Sequence, residues 1–289
     1  LTISGSEHLL PAQHKMLKAS AQVKSALILA GLNIHGETEI IENNPTRDHT
    51  ERLLKYLNVS FKNTKLRNYG NKIKLNGPYE IKSKNINIAS DPSSAAFFIV
   101  AALITPDSKI ILKNIMLNPS RIAYIKILKN MGGKIKIKKT KIVSGEEVGE
   151  ITAEYSKLKG VVIPSSKSAS LIDEYPILSI AATQAKGKTI MNGLDELRHK
   201  ESDRIHSIVF NLKKVGYKIH ETNNNITING SNIKLSSNIN IKTFNDHRIA
   251  MSFSILNILH KNKLIIDNKD CISISYPRFE THLKKLLTN

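Results

Sequence analysis

Asp91-Pro92-Ser93-Ser94-Ala95-Ala96-Phe97-Phe98-Ile99-Val100-Ala101-Ala102-Leu103-Ile104 joins a short polar motif to the longest apolar run of the chain. A helix made from residues 95–104 is apolar on every side, so it has to be buried rather than lie half in water. At ten residues the run is too short to span a bilayer. The same arrangement recurs. Ser20-Ala21-Gln22 precedes the apolar stretch 23–32, Asp173-Glu174-Tyr175 precedes 176–185, and Asp246-His247-Arg248 precedes 249–259. Each stretch runs into a strand (39–41, 109–115, 188–191, 264–267) and then into a second, amphipathic helix (50–57, 122–131, 202–215, 278–287). In the first three units a further strand follows. Units that start roughly seventy to eighty residues apart indicate a duplicated βαβαββ module rather than a thin solenoid. The fold class is therefore α/β, with small sheets wrapped around buried helices. Thr227-Ile228-Asn229-Gly230 followed by Asn232-Ile233-Lys234-Leu235 predicts a hairpin with its turn between them.

A shift in composition near residues 85–90 sets a domain boundary: residues 1–89 keep one unit and residues 90–289 hold three. Leu1-Thr2-Ile3-Ser4-Gly5 reads as a strand entered partway, so the chain is expected to be incomplete at its start. Its 289 residues carry a formal charge of +19, which raises the question of nucleic acid. The lysines are dispersed, however, there is no tryptophan, and aromatic residues make up only 5%. Base-stacking surfaces need aromatics, and duplex readers concentrate their basic residues on one element. Neither a nucleic-acid nor a membrane partner is expected. A basic field does raise the local concentration of phosphorylated small molecules. The one cysteine, Cys271, rules out an internal disulfide and fits a reducing cytoplasm.

Because each polar motif opens an apolar helix, the free N–H groups of that helix's first turn point at the motif, where they favour phosphate or carboxylate. Several such ends converge if the modules pack symmetrically, and Arg47, Lys200, Arg204 and Arg248 then add formal charge around them. Lys200 and Arg204 are spaced to share one face of the second helix of the third unit, with Glu201 beside them rather than paired along that stripe. Taken singly, the motifs also have plainer readings. Residues 198–204 read as the solvated start of a helix, Asp173 and Ser20 as N-caps, His247 as structural, and Cys271 as a packed thiol. Gly187-Lys188-Thr189 imitates the end of a phosphate-binding loop, but position 182 is Ala and the segment runs from helix to strand. No dinucleotide fingerprint and no His/Cys ligand spacing occurs, so no cofactor and no metal is expected.

Six segments, in order, resemble the 5-enolpyruvylshikimate-3-phosphate synthase (3-phosphoshikimate 1-carboxyvinyltransferase) family: SAQVKSALILAGL at 20–32, TRDHTE at 46–51, DPSSAAF at 91–97, DEYPIL at 173–178, LRHKESDRI at 197–205 and NDHRIAM at 245–251. The resemblance implies two domains of three modules each and a monomeric enzyme of aromatic amino acid biosynthesis. It transfers the enolpyruvyl group of phosphoenolpyruvate to the 5-hydroxyl of shikimate 3-phosphate without a cofactor. It also implies that about two modules of the first domain lie outside this sequence. They would carry an essential lysine, a Gly-rich segment and a further arginine, so these residues alone are expected to be inactive.

Matched by motif, Asp173 is implied as the group that holds and deprotonates the 5-hydroxyl, and Glu201 as the acid that protonates the vinyl methylene. Ser20, Ala21 through its backbone, Gln22, Arg47 and Lys200 are implied as contacts to shikimate 3-phosphate. Gln22 also reaches phosphoenolpyruvate, which Arg204 and Arg248 clamp with His247 as a neighbour. CISISYP at 271–277 departs from many members by having Ile274 in place of a lysine. The branch known for glyphosate tolerance shares that departure, which leaves the clamp one charge weaker. Two other readings stand beside this one. The enolpyruvyl transferase acting on UDP-N-acetylglucosamine shares the fold, and a non-catalytic anion-binding module would use the same basic residues.

Overall fold

The computed structural model describes every residue except 1, 3, 5–7, 68, 69, 288 and 289, so most of the strand expected at Leu1-Thr2-Ile3-Ser4-Gly5 lies outside the described residues. The chain divides into two units. Unit 1 is Leu1–Ile88 with the hairpin tip Ile142–Glu147, and unit 2 is Ala89–Lys141 with Val148–Asn289. Among the described residues, no helix is long and apolar enough to cross a membrane.

Unit 1 holds strand β1 (Gln13–Met16), helix α1 (Ala21–Gly31), β2 (Gly36–Glu42), α2 (His49–Tyr56), β3 (Phe61–Lys65) and β4 (Asn71–Gly77). Its sheet has the order β1-β2-β4-β3, with β1 parallel to β2 and the other pairs antiparallel. Alternation along β4 sends Ile73 and Leu75 inward, where they meet Ile40 of β2, Ile28 and Leu32 at the end of α1, and Leu54 of α2. The expectation that the first apolar helix is buried all round is corrected within this unit. Only Lys24, Ile28 and Gly31 of α1 are buried, while Val23 and Leu29 are about half exposed. One sheet covers one face of a helix, and within unit 1 α1 packs mainly on β2 and β4.

Unit 2 repeats the helix–strand–helix part of the module three times, and among the described residues only the second copy has every strand. The first copy has α3 (Pro92–Ile104), β5 (Lys109–Met116), α4 (Ala123–Asn130), β6 (Lys134–Val143) and β7 (Glu146–Glu154). The second has β8 (Val162–Ile163), the single turn α5 (Ser168–Leu171), α6 (Tyr175–Thr183), β9 (Lys188–Asn192), α7 (Arg204–Val215), β10 (Lys218–Glu221) and β11 (Asn225–Asn229). The third has β12 (Ile239–Ile241), α8 (His247–Leu259), β13 (Leu264–Ile266) and α9 (Phe279–Leu287). Three sheets result: β5-β7-β6, β8-β9-β11-β10 and β12-β13. Helices α3, α6 and α8 pack on one another, and each also packs on a strand of its own module. That central position is why they are apolar all round. All nine residues of α6 are buried, as are eleven of α3. The outer helices α4, α7 and α9 bury one stripe each, with Leu128, Leu212 and Leu283 among the buried residues.

The predicted hairpin is displaced. Residues 225–229 form its second strand, paired with β10 across the turn 222–224, and residues 231–235 are not strand. Gly230 explains why the chain leaves the sheet there. A Cβ at this position would lie 1.8 Å from the Ala185 carbonyl oxygen and 2.9 Å from that of Ala182, at the end of α6. Gly230→Ala is expected to destabilise the protein by roughly 1–3 kcal/mol, the usual cost of forcing atoms into a packed site. A urea midpoint equal to wild type would mean that the backbone moves aside freely. Gly216 serves a different need: it ends α7 with φ of 107°, a left-handed cap that side chains disfavour.

Candidate active site

The N-terminal ends of the three central helices of unit 2 meet through their side chains. Asp91 caps α3, accepting from the Ser93 and Ser94 N–H groups at 3.3 and 2.8 Å. Asp246 caps α8, accepting from the Arg248 N–H at 2.9 Å. The third end differs, and the reading of Asp173 as an N-cap is corrected: Glu174 occupies that position and α6 has no side-chain cap. Glu174 already has helical backbone angles, φ −102° and ψ −8°, whereas a capping residue normally sits in the extended region. Asp173 instead meets two guanidinium groups. Arg248 Nη1 donates to its carbonyl at 3.1 Å, Arg248 Nη2 lies 3.9 Å from Oδ2, and Arg204 Nη1 lies 3.6 Å from Oδ1.

Arg204 is the largest fully buried side chain of the protein's described residues. Its Nε donates to Asp246 Oδ2 at 2.8 Å and its Nη2 to Glu201. Nη1 is buried and makes no hydrogen bond. These contacts correct two expectations for residues 198–204. The segment is not a solvated helix start, because α7 begins only at Arg204, with Asp203 as its cap accepting from the His206 N–H at 3.0 Å. Lys200 therefore shares no helix face with Arg204: it ends the 3-10 turn Asp195–His199 with extended backbone and is exposed. Glu201, expected beside the basic pair, pairs with Arg204 directly.

The structure thus gathers Asp173, Glu201, Arg204 and Arg248 into one ion cluster. His247 lies in the first turn of α8 and is partly buried. Burial, and secondly the charge of Arg248, pushes its pKa down, which favours the neutral ring. The sequence reading assigned no role to Glu174, Ser93 and Arg121. Ser93 Oγ donates to Glu174, and Arg121 Nη2 donates to Asp91 at 2.8 Å and to Ser93 Oγ at 2.9 Å. Burial pushes the Glu174 carboxyl up, opposed by Ser93 and the nearby arginines. The usable signal was Glu174 itself, a second carboxylate at the mouth of a wholly buried helix. Asp246 was visible within its motif, but nothing local in sequence ties it to a guanidinium 42 residues away.

In unit 1, Ser20 does cap α1, with its hydroxyl accepting from the Val23 N–H at 3.3 Å. Ala21 and Gln22 follow in the first turn, partly buried and exposed respectively. Arg47 is partly buried in the segment between β2 and α2. Cys271 is buried, as a packed thiol would be, and burial pushes its pKa up. Ile274 is 84% exposed at the end of the turn Asp270–Ile274.

Residues 1–283 match the EPSP synthase family, described as EPSP synthase (3-phosphoshikimate 1-carboxyvinyltransferase). The chain is 44% identical over 288 residues to the 3-phosphoshikimate 1-carboxyvinyltransferase of Petrotoga mobilis, covering 99% of this chain and 65% of that protein. It is 43% identical over 284 residues to that of Clostridium tetani, covering 98% and 63%. It therefore spans less than two thirds of the length of these relatives. A solved EPSP synthase from Acinetobacter baumannii superposes with a TM-score of 0.86 at 38% identity, covering 96% of this chain and 63% of that one. The enolpyruvyl transferase NikO from Streptomyces tendae, at 16% identity and a TM-score of 0.68, shares the fold, covering 97% and 65%. With six motifs in order, three copies of a helix–strand–helix module in unit 2 and a family match over almost all of its length, this chain belongs to the EPSP synthase family.

Proposed function

We propose that the whole protein transfers the enolpyruvyl group of phosphoenolpyruvate to the 5-hydroxyl of shikimate 3-phosphate, releasing phosphate on the route to chorismate and the aromatic amino acids. The observation that carries this reading is the approach of two guanidinium groups to Asp173, one of them with a buried Nη1 that makes no hydrogen bond. Planar guanidinium forks suit the carboxylate and phosphate of phosphoenolpyruvate. In this reading Arg204 and Arg248 hold phosphoenolpyruvate, with His247 alongside. Ser20, the Ala21 backbone, Gln22, Arg47, Asp173 and Lys200 contact shikimate 3-phosphate, and Gln22 also reaches phosphoenolpyruvate. Residues 1–89 are the remaining module of a first domain, and residues 90–289 are the second domain of a cytoplasmic monomer.

The steps balance without a cofactor. Glu201 delivers a proton to the vinyl methylene, giving C2 cationic character, and the 5-hydroxyl oxygen bonds to C2 as Asp173 takes its proton. From the tetrahedral adduct the C2–O bond to phosphate breaks, the phosphate leaves as hydrogenphosphate with the proton that Asp173 took up, and Glu201 removes a proton from the new methyl group to restore the double bond. Cations around the phosphate stabilise the charge as it leaves.

Phosphate release from phosphoenolpyruvate by the full-length protein tests the reading. Release that requires shikimate 3-phosphate supports it, and no such release from a folded protein refutes it. Arg248→Ala removes charge-assisted hydrogen bonds worth about 1.5–3 kcal/mol, so KM for phosphoenolpyruvate should rise roughly tenfold to a hundredfold. An unchanged KM would remove Arg248 from the clamp.

A further inference from the structure

One charged side chain interrupts the apolar stretch of α1. Lys24 is completely buried, and its ammonium has three donors to satisfy away from water. Nζ meets Glu51 at 2.7 Å and both oxygens of Glu42 at 3.3 Å. Both carboxylates are buried as well. Glu42, the last residue of β2, also accepts from the Thr46 N–H at 3.2 Å, the Thr46 hydroxyl at 2.8 Å and the Asn71 amide at 2.8 Å. Glu51 lies in the first turn of α2, where the Ser25 and Thr50 hydroxyls join α1 to α2 at 2.6 Å.

Stability alone does not account for this network. One ammonium is shared between two buried carboxylates, and Glu51 Oε2 has no hydrogen bond. Apolar side chains of similar volume usually serve a core as well as a buried ion pair or better. What the network does achieve is geometric. The Lys24 N–H donates to the Ser20 carbonyl at 3.1 Å, so Lys24 lies in the helical turn that follows Ser20-Ala21-Gln22. Through Glu42 it anchors Thr46, the residue before Arg47, and through Glu51 it anchors the helix that follows Arg47. One side chain thus joins the two unit 1 segments to which substrate contacts were assigned.

We propose that Lys24 is a positioning residue that, through Glu42 and Glu51, holds Ser20, Gln22 and Arg47 in the arrangement that receives shikimate 3-phosphate. The proposal rests on the substrate reading given under the proposed function. In the full-length protein, Lys24→Met keeps most of the volume and removes the charge. Its KM and Kd for shikimate 3-phosphate should rise about tenfold to a hundredfold, the scale on which small displacements of binding groups act. KM for phosphoenolpyruvate at saturating shikimate 3-phosphate should rise less, because of the three positioned residues Gln22 alone reaches it. A folded variant with wild-type affinity for shikimate 3-phosphate, or one that loses both substrates in proportion to a lowered Tm, overturns the proposal. Should Lys24→Met fail to fold, Thr46→Val decides. It removes only the hydroxyl tie to Glu42 and should weaken shikimate 3-phosphate binding several-fold, and wild-type binding refutes the role. Arg47→Ala, measured in parallel, separates the two readings: if it leaves shikimate 3-phosphate affinity intact, the substrate assignment itself fails.

Discussion

Glu201→Gln is expected to lower turnover of the full-length enzyme by roughly a hundredfold or more, the scale on which a positioned acid–base group acts. Glutamine has the same shape and keeps a carbonyl oxygen that can accept from Arg204, so neither the chain path before α7 nor the pairing of Arg204 with Asp246 needs to change. What the substitution removes is a transferable proton. The proposed chemistry uses that proton twice, once to protonate the methylene and once to take a hydrogen back from the methyl group of the adduct. The loss should therefore fall on kcat, with both KM values near wild type and Tm unmoved. Glu201 is suited to such a role because its side chain is about half exposed, so a substrate can reach it while Arg204 holds it in place. Solvent deuterium entering the vinyl methylene follows the same proton directly, and its rate should fall together with kcat. Wild-type turnover in the variant would end the assignment.

Much of the fold was legible because burial on all sides leaves a compositional mark. The stretches 95–104, 176–185 and 249–259 carry no charged residue, and they became α3, α6 and α8 at the centre of unit 2. The same reasoning misjudged α1, where the pattern gives the helix's apolarity but not which faces unit 1 itself covers. Lys24 was the clue in that stretch: a lone lysine in an apolar helix demands a buried counter-charge, and Glu42 and Glu51 supply two. The motifs picked out residues of the candidate site, but local spacing misjudged how they pair. Arg204 pairs with Glu201, three residues before it, rather than sharing a face with Lys200, four before it, because the Asp203 cap starts the helix after Lys200. The Arg204–Asp246 and Arg248–Asp173 contacts join residues 42 and 75 positions apart, which periodicity cannot reach.

Arg204→Met is expected to cost roughly 3–5 kcal/mol of stability, the usual cost of removing one partner from a buried ion pair. The loss centres on Asp246. That carboxylate is fully buried and accepts the Arg204 Nε–H at 2.8 Å; without it, only the Arg248 N–H and the Ser202 hydroxyl, at 2.9 and 3.2 Å, still reach it. The Glu201 arm adds little, since that carboxylate is half in water, where ion pairs are screened. The Asp173 arm, at 3.6 Å, lies between these two cases. For a domain of this size Tm should fall by about 2–4 °C for each kcal/mol. The double variant Arg204→Met/Asp246→Asn separates folding from function: it removes both buried charges together, so most of the lost stability should return. Activity should not return, because the cation assigned to phosphoenolpyruvate is still missing. A single variant that loses less than about 1 kcal/mol would show that the pair behaves like one on the surface. A double variant that regains turnover would mean that Arg204 is needed for the fold but does not hold the substrate.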